Sequence, residues 1–352
     1  MTHLSAYSKI GPGRYRESFG LDFEDFAAGQ RFRHRPGITF SQQENVDDAL
    51  DTFNGAMLHF DAHYAAQTPW KKPLMVSTLT LQRAIGMASK TFGRRQAIPR
   101  FREIVMTGPV FGGDTLYAES ELTGIGAAAG DTGLVSVRTV MVKPDGTAVA
   151  RLDYDVLVYR RGRGPSAGAG EVAGEAADEP RFAAYHSAAD GVLVEQAGLF
   201  FEDFAAGETF VHFPRRRFSA LEAVRQLRRS LDLSPQSYDG DWTGSGEGEA
   251  ARIPEAFLIG AATALTTRTF GRVVANLGWY DVELPVPVLD GDTVEAESDV
   301  VDARASRSRA GEGVLTVDMR LVNQRRELVL TFRRKLLLCM RSGAGLYTEA
   351  GY

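Results

Sequence analysis

Apolar and polar positions alternate with a period of two in the later part of each half of the chain. Every second residue from 152 to 158 and from 315 to 321 is Leu, Tyr, Val or Met, and most residues between them are polar. Such alternation predicts strands of a sheet with one covered face. Pro144-Asp145-Gly146 and Gly112-Gly113-Asp114 are turn sequences, and they predict hairpins between such strands.

Two helices are predicted ahead of the strands in each half. Ser41-Gln42-Gln43-Glu44 has the pattern of a capping box and predicts a helix that runs toward Asn54; Ser219-Ala220-Leu221-Glu222 repeats the signal. A more apolar helix, rich in small residues, is predicted from about Ser77 to Phe92, with a counterpart from about Glu255 to Phe270. We therefore expect an α+β fold with a long helix followed by an antiparallel sheet in each half.

The chain contains an internal repeat with a constant offset. Gly20–Gly29 recurs, with one difference, as Gly198–Gly207, and further blocks keep the same spacing. These blocks begin at Thr91, Pro109, Gly113 and Ala118 in the first copy. The repeat predicts two homologous domains, which we place at residues 1–161 and 181–352. Residues 162–180 between them are small and polar, and they predict a flexible linker.

Composition and charge narrow the classes of function. The chain is 44% hydrophobic and 24% charged, which is ordinary for a globular protein, and its net charge is −5. This charge argues against nucleic acid or an anionic membrane as the main partner. The single cysteine, Cys339, cannot form an internal disulfide and fits a reducing, cytoplasmic setting. No apolar stretch approaches the about 18 residues of a membrane span, and the N-terminus lacks the pattern of a signal peptide.

The segment Asn54–Asp61 carries the strongest candidate for chemistry. It places His59 among apolar residues, with Asn54 five positions before it and Asp61 two positions after it. Neutral imidazole is a suitable base near neutral pH. In the second copy Ser237 stands in place of His59, and Asp232 in place of Asn54. Because the scaffold blocks survive in both copies and the histidine in one, we interpret the first half as the working site. The alternative is a half-buried histidine with a structural role.

Three motifs resemble the MaoC-like (R)-specific enoyl-CoA hydratase/dehydratase family. They are Phe23–Gly29, the run from Leu58 to Asp61 followed by Tyr64-Ala65, and Pro109–Leu116. The resemblance implies a tandem hot-dog fold, each half an antiparallel sheet wrapped around a central helix. It also implies reversible hydration or dehydration of a 2-enoyl-CoA-type thioester. The family motif has an aspartate where Asn54 stands. An asparagine there resembles the mesaconyl-CoA hydratase-like branch and implies a small branched or dicarboxylic acyl group.

The same resemblance implies roles for the residues around His59. His59 would be the acid/base. Asn54 cannot take up a proton at neutral pH; it would orient the water or a polar substrate group, unless it only ends the helix before Gly55. His59 would then carry the proton transfer alone, or Asp61 would help. A backbone N–H at Ser77, where the central helix starts, would face the thioester oxygen, and the alternative is that Ser77 only caps this helix.

The expected ligand is a coenzyme A or acyl-carrier thioester, bound as substrate. Arg94 and Arg102 lie near the predicted site in the sequence, and we choose them as the cations for its phosphates. The alternative is that each is an ordinary solvated side chain. We expect no resident cofactor and no nucleic-acid or membrane partner. We also expect a homo-oligomer, a dimer of double hot-dogs.

Three other polar residues are set aside on comparison and spacing. The second copy repeats Asp114 as Asp292 and His34 as His212, so we interpret these as structural residues. His63 lies four positions after the candidate histidine, a spacing that could bind a metal on a helix. No third ligand lies near it in the sequence, and we therefore predict no metal site.

Two other functions stay open. A thioesterase can share the hot-dog fold, but it would require an acidic residue on the central helix, and Ser77–Phe92 contains no Asp or Glu. A non-catalytic subunit that binds acyl-CoA is the other alternative, because Asn54 replaces the family's aspartate.

Overall fold

The computed structural model describes residues 4–164, 174–230, 232 and 251–343. Its strands are β1 (Tyr7–Gly11), β2 (Arg14–Glu17), β3 (Arg31–Arg33), β4 (Ile38–Thr39), β5 (Arg95–Met106), β6 (Thr115–Ala129), β7 (Thr132–Val142), β8 (Ala148–Tyr159), β9 (Glu175–Ala176), β10 (Tyr185–Ser187), β11 (Leu193–Glu195), β12 (Thr209–Val211), β13 (Arg216–Arg217), β14 (Val273–Glu283), β15 (Thr293–Ala305), β16 (Glu312–Asn323) and β17 (Leu328–Cys339). Its α-helices are α1 (Gln42–Asp51), α2 (Ala62–Ala65), α3 (Ser77–Met87), α4 (Ala220–Arg229) and α5 (Glu255–Leu265). Single turns of 3₁₀ helix occur at Phe23–Asp25, Met57–His59, Ala88–Lys90, Pro180–Phe182 and Phe201–Asp203.

The chain divides into two compact units. Of the described residues, the first unit holds 4, 19–164 and 183–196, and the second holds 5–18, 174–182 and all those from 197 onward. The division differs from the predicted boundaries at two hairpins. The β1–β2 hairpin precedes the first repeat in sequence but belongs to the second unit, and the β10–β11 hairpin belongs to the first.

The first unit is built on an eight-stranded sheet. Its strand order is β10-β11-β3-β6-β7-β8-β5, with β4 paired to β6 outside this path. Helix α3 packs against β6, β7 and β8, and its Leu79 and Ala84 lie in one core with Val137 and Leu152 of the sheet. The pairs are antiparallel except that β11 runs parallel to β3. This helix-on-sheet arrangement confirms the predicted hot-dog fold for this half.

The second unit repeats the plan. Its sheet has the order β14-β17-β16-β15-β12-β2-β1-β9, with β13 paired to β15, and β12 runs parallel to β2. Leu258 and Ala262 of α5 share a core with Leu315 and Leu336 of the sheet. The predicted tandem α+β architecture is therefore confirmed in both halves.

Both predicted capping serines open helices, but the full capping box forms only at Ser41, because the carboxylate of Glu222 bonds to Arg216 instead. The hydroxyl of Ser41 accepts from the N–H of Glu44 at 3.1 Å, and Ser219 accepts from Glu222 at 3.3 Å. The central helices are shorter than predicted. Helix α5 ends at Leu265 because the side chain of the next residue, Thr266, hydrogen-bonds back to the carbonyl of residue 263. Helix α3 likewise ends in a turn of 3₁₀ helix.

Two other expectations need correction. Glu175–Ala176 is not part of a flexible linker, because it forms strand β9 and pairs with β1, and the neighbouring Ala177 is buried. Backbone hydrogen bonds to another strand hold this segment, and small polar side chains give no sign of them in the sequence. Residues 165–173 of the predicted linker lie outside the described residues.

The turn at Gly112-Gly113-Asp114 forms, with Gly113 at φ 95°, but it joins β5 to β6, which are not neighbours in the sheet. It is therefore not the hairpin that the sequence predicts. No helix in the described part of the chain is long and apolar enough to cross a membrane.

Candidate active site

The loop between α1 and α2 carries His59, at the end of a single 3₁₀ turn. Asn54 shapes the start of this loop, because its side-chain oxygen accepts from the N–H of Ala56 at 3.1 Å, an Asx turn. Asp61 shapes its end by capping α2, where its Oδ1 accepts from the N–H of Tyr64 at 2.9 Å. Both side chains thus bond to nearby backbone. These bonds do not test the chemical roles predicted for Asn54 and Asp61, which stay predictions.

The ring of His59 has a fixed hydrogen bond on one side. Its Nδ1 lies 2.7 Å from the carbonyl oxygen of Leu74. A carbonyl only accepts hydrogen bonds, so in the neutral imidazole the proton is on Nδ1 and the lone pair is on Nε2. No described residue forms a hydrogen bond with Nε2. The side that is left open is therefore the basic side.

The backbone of His59 is held by two side-chain amides of α1. Gln42 and Asn45 both donate to the His59 carbonyl oxygen, at 2.7 and 2.8 Å. Asn45 is fully buried; it also donates to the Leu74 carbonyl at 3.0 Å and accepts from the N–H of Val76 at 2.7 Å. We call these two residues the amide pair. Asn45 therefore connects the histidine loop, residue 74 and the start of α3.

The amide pair was not predicted from the sequence, although a signal for it was present. Helix α1 places Asn45 on its buried face together with Ala49. At the repeat offset, Gln42 corresponds to Ala220 and Asn45 to Ala223. Comparing the two copies position by position along α1 would have singled out both amides.

The start of α3 offers two free backbone donors. Val76 is the N-cap residue, so Ser77 is the first residue of the helix and not its cap, as one alternative had it. Among the described residues, nothing accepts a hydrogen bond from the N–H groups of Ser77 and Thr78, whose side chains are exposed. Ser77 follows Leu74 by three residues, so their Cα atoms lie within about 11 Å. Asn45 bonds to the backbone of both His59 and Val76, so the positive end of the helix is held beside the histidine loop.

The two predicted phosphate ligands already have partners within the first unit. Arg94 lies 2.5 Å from Asp22 and donates to a backbone carbonyl. Arg102 donates to Asp155 at 2.7 Å and to the hydroxyl of Ser136 at 2.9 Å. Their assignment to coenzyme A stays a prediction.

The second unit lacks this arrangement where it is described. Helix α4 has Ala220 and Ala223 where α1 has the amide pair. In addition, Glu255 stands at the first position of α5, where α3 has Ser77. The register is nevertheless kept, since an isolated bridge joins Leu74 to Phe111 in the first unit and Arg252 to Leu289 in the second. Ser237, the counterpart of the histidine, lies outside the described residues.

The duplicated histidines are structural, as predicted. His34 is fully buried between Glu195, at 2.9 Å, and Ser120, at 2.8 Å. His212 has the same environment, with Glu17 at 3.0 Å. Glu195 belongs to the β10–β11 hairpin, which lies far from His34 in sequence but in the same unit. Glu17 belongs to the β1–β2 hairpin, which is related to His212 in the same way.

The duplicated aspartates are also structural. Asp114 accepts from the N–H of Phe111 at 2.9 Å, and Asp292 accepts from that of Leu289 at 2.9 Å. Partial burial acts to raise the pKa of Asp114, but the hydrogen bond and charge of Lys143 and the backbone bond lower it below its ordinary value. The carboxylate is thus engaged by the backbone of its turn and by Lys143, which fits the predicted turn role.

Two family models match the chain in succession. Residues 24–143 match the MaoC like domain, and residues 175–346 match mesaconyl-CoA hydratase. The beta-methylmalyl-CoA dehydratase of Chloroflexus aurantiacus is 26% identical over 157 residues, 40% of this chain and 45% of that protein. The mesaconyl-CoA hydratase of Cereibacter sphaeroides is 31% identical over 154 residues, 42% of this chain and 43% of that protein.

The matched part thus spans less than half the length of these curated relatives. Among solved structures, a MaoC domain protein from Chloroflexus aurantiacus aligns with 92% of this chain and 98% of its own. The TM-score is 0.39 and the sequence identity 18%.

Proposed function

Since the chain carries a MaoC-like dehydratase domain followed by a domain of the mesaconyl-CoA hydratase family, we propose that it catalyses reversible hydration of a 2-enoyl-CoA-type thioester. The observation that carries the proposal is the state of His59. Its Nδ1 is bonded to a carbonyl at 2.7 Å and its Nε2 is left as a base without a partner among the residues described.

In the hydration direction Nε2 of His59 takes a proton from water while the water oxygen forms a bond to C3 of the acyl group. The electron pair of the C2–C3 double bond moves toward the thioester carbonyl, whose oxygen becomes enolate-like. The imidazolium then returns its proton to C2, and the carbonyl is restored. One molecule of water is added, and no electron is gained or lost, so the reaction requires no redox cofactor.

The developing charge on the thioester oxygen requires hydrogen-bond donors. The N–H groups of Ser77 and Thr78 at the positive end of α3, which have no acceptor among the described residues, are suited to this task. A main-chain donor at Ser77 does not depend on its hydroxyl.

We propose a small branched or dicarboxylic acyl group such as mesaconyl as the substrate class. The match of residues 175–346 to the mesaconyl-CoA hydratase model and the asparagine at position 54 support this choice. Asn54 would orient the water or a polar substrate group. An Asn54→Ala variant with unchanged kcat would contradict that role. For Asp61 we propose that it assists the proton transfer by His59.

The setting of the protein is also a proposal. The single buried cysteine, Cys339, supports a reducing cytoplasm. A homo-oligomer, a dimer of double hot-dogs, is proposed on the resemblance alone. Light scattering of the purified chain would test the dimer. Arg94 and Arg102 would contact the phosphates only by exchanging their present partners.

The proposed function is tested by incubating the purified full chain with crotonyl-CoA and mesaconyl-CoA and following the enoyl thioester absorbance. We expect absorbance to fall without release of free thiol, and faster with mesaconyl-CoA. Thiol release would instead favour a thioesterase, which α3 does not support because Ser77–Met87 has no acidic residue. Binding of either thioester without reaction would favour a non-catalytic subunit.

A further inference from the structure

We propose that Asn45 is the positioning residue of this site: its buried amide holds His59 in the Nδ1–H tautomer, with Nε2 directed away as the base. Asn45 contacts neither ring nitrogen itself, so its effect is exerted through Leu74 and the backbone of His59. The inference rests on the proposed function for its kinetic consequence only, because the state of the ring can be observed without any reaction.

The bonds of Asn45 converge on the groups that orient the ring. Its Nδ2 donates to the carbonyl oxygens of His59, at 2.8 Å, and Leu74, at 3.0 Å. The Leu74 oxygen is the same atom that accepts from Nδ1 of His59, at 2.7 Å. One amide therefore fixes the acceptor of the ring and the main chain from which the ring extends. Helix α1, the loop and the segment before α3 are held together at this point.

The chemistry of this position requires an amide. The Asn45 Oδ1 faces a donor, the N–H of Val76 at 2.7 Å. The Nδ2 faces three acceptors, the carbonyl oxygens of His59 and Leu74 and, at 3.4 Å, the Oε1 of Gln42. The orientation of the amide is thereby determined by its partners. An aspartate has the same shape, but its second oxygen would face the carbonyl oxygens of His59 and Leu74 and would repel them. In a fully buried place there is no water to relieve this repulsion.

The second copy of the architecture provides independent support. The capping serine, the register before the central helix and the core are kept in both units, but Asn45 is Ala223 and Gln42 is Ala220 in the second. The histidine is lost from the same copy. An amide required only for the fold would be expected in both copies. Its loss together with the histidine is what a residue that serves the histidine predicts.

Gln42 has a supporting part. It shares the His59 carbonyl with Asn45, at 2.7 Å, and lies at the first position of α1, where it is partly exposed. It makes no bond to Leu74. Removing it should therefore loosen the loop without releasing the acceptor of Nδ1, so the effect of Gln42→Ala should be the smaller one.

The test compares Asn45→Asp and Asn45→Ala with a matched control, Asn323→Asp, in the full chain. Asn323 is 2% exposed and its side chain makes three hydrogen bonds, in the β16–β17 turn of the second unit. The ¹⁵N NMR signals of the imidazole nitrogens report the tautomer, and His59→Gln assigns the signals of His59. If N45D does not fold, the tautomer of His59 in N45A, a variant that adds no charge, decides the test.

We expect wild type and N323D to show His59 as a single Nδ1–H tautomer, and the Asn45 variants to show both tautomers. We expect kcat to fall by about 100-fold in the Asn45 variants with a much smaller change in KM, because a misplaced base affects the chemical step. A His59 spectrum unchanged in folded N45A, or a kcat equal to that of N323D, would overturn the proposal. If the wild type hydrates no thioester, the proposed function fails, and the NMR comparison still decides the role of Asn45.

Discussion

Removing the carboxylate of Glu17 should destabilise the second unit, and removing that of Glu195 should destabilise the first. This is opposite to the order in the sequence, because Glu17 lies just ahead of the first repeat and Glu195 just ahead of the second. The reason is that Glu17 bonds to His212 and to the hydroxyl of Thr269, whereas Glu195 bonds to His34. The substitutions to be compared are Glu17→Ala and Glu195→Ala.

The size of the effect follows from what each carboxylate leaves behind. Glu195 is 3% exposed and accepts from Nδ1 of His34 at 2.9 Å, from the hydroxyl of Thr91 at 2.8 Å and from the N–H of Arg35 at 2.9 Å. Truncation removes the acceptor of the fully buried His34 ring, whereas the Thr91 hydroxyl keeps the Tyr185 hydroxyl at 2.9 Å. Removing one partner of such a buried pair typically costs about 3–5 kcal/mol, a large part of the about 5–15 kcal/mol that holds a domain folded. Glu17, which is 4% exposed, should give a loss of the same size.

Hydrogen exchange with mass spectrometry in low urea resolves the two units in one experiment. For Glu17→Ala we expect protection to fall in peptides from 197 onward and to stay unchanged in 19–164, and the reverse for Glu195→Ala. Glu17→Gln and Glu195→Gln, which keep an acceptor, should show about half the loss, since hydrogen bonds to charged groups are worth roughly twice neutral ones. Loss of protection in 19–164 with Glu17→Ala would refute the assignment of the hairpins, and a loss below about 1 kcal/mol would refute the energetic argument.

Two further predictions concern buried charge. Arg334 is 2% exposed, bonds to Asn276 and Thr266, and has no carboxylate partner within the described residues; burial lowers its pKa to about 10. The first unit has apolar residues at all three positions, so Thr266→Ala, Asn276→Ile and Arg334→Val combined should raise the unfolding free energy by about 1–4 kcal/mol, and a lower urea midpoint would contradict this. Burial acts to raise the pKa of Glu195, but the charge and hydrogen bond of His34 lower it below 4.5. Its stabilisation is therefore complete above about pH 4.5 and lost as the pH falls through the lowered pKa, so Glu195→Gln should flatten the acid limb of the stability profile; an identical limb would be the contrary result.

The repeat and the period-two strands were sufficient to predict the tandem architecture. A constant offset constrains both halves at once, which is why Thr91 and its counterpart Thr269 can be aligned from the order of residues alone. The offset extends further than the blocks used for it, since Tyr7 recurs as Tyr185 and Glu17 as Glu195. The hairpins could thus have been recognised as parts of the repeat.

The exchange of hairpins between units could not have been predicted from the sequence. Glu17 and Glu195 each precede a repeat, but the local sequence pattern does not indicate which of the two histidines, His34 or His212, each glutamate contacts. That choice depends on long-range strand pairing, such as β2 beside β12 and β11 beside β3. Propensity and periodicity carry no information on such pairing.

For the site, the sequence identified the histidine and not the residues that hold it. His59 is singled out by the comparison of the two copies. The bond from Nδ1 to the Leu74 carbonyl involves main chain, which has no sequence signature. Periodicity alone does not single out Asn45, because a polar residue in an amphipathic helix is expected on the solvent side, whereas Asn45 is fully buried.

The central claim is that His59 carries the proton in a hydration reaction, and the turnover of a histidine variant tests it most directly. The rate of loss of enoyl absorbance with mesaconyl-CoA is to be measured for wild type, His59→Gln and the control His63→Ala. His63 is an exposed histidine on α2, four positions along the same segment. We predict that His59→Gln lowers kcat by about 100-fold or more while His63→Ala keeps the wild-type rate. A folded His59→Gln protein with the wild-type kcat would contradict the account.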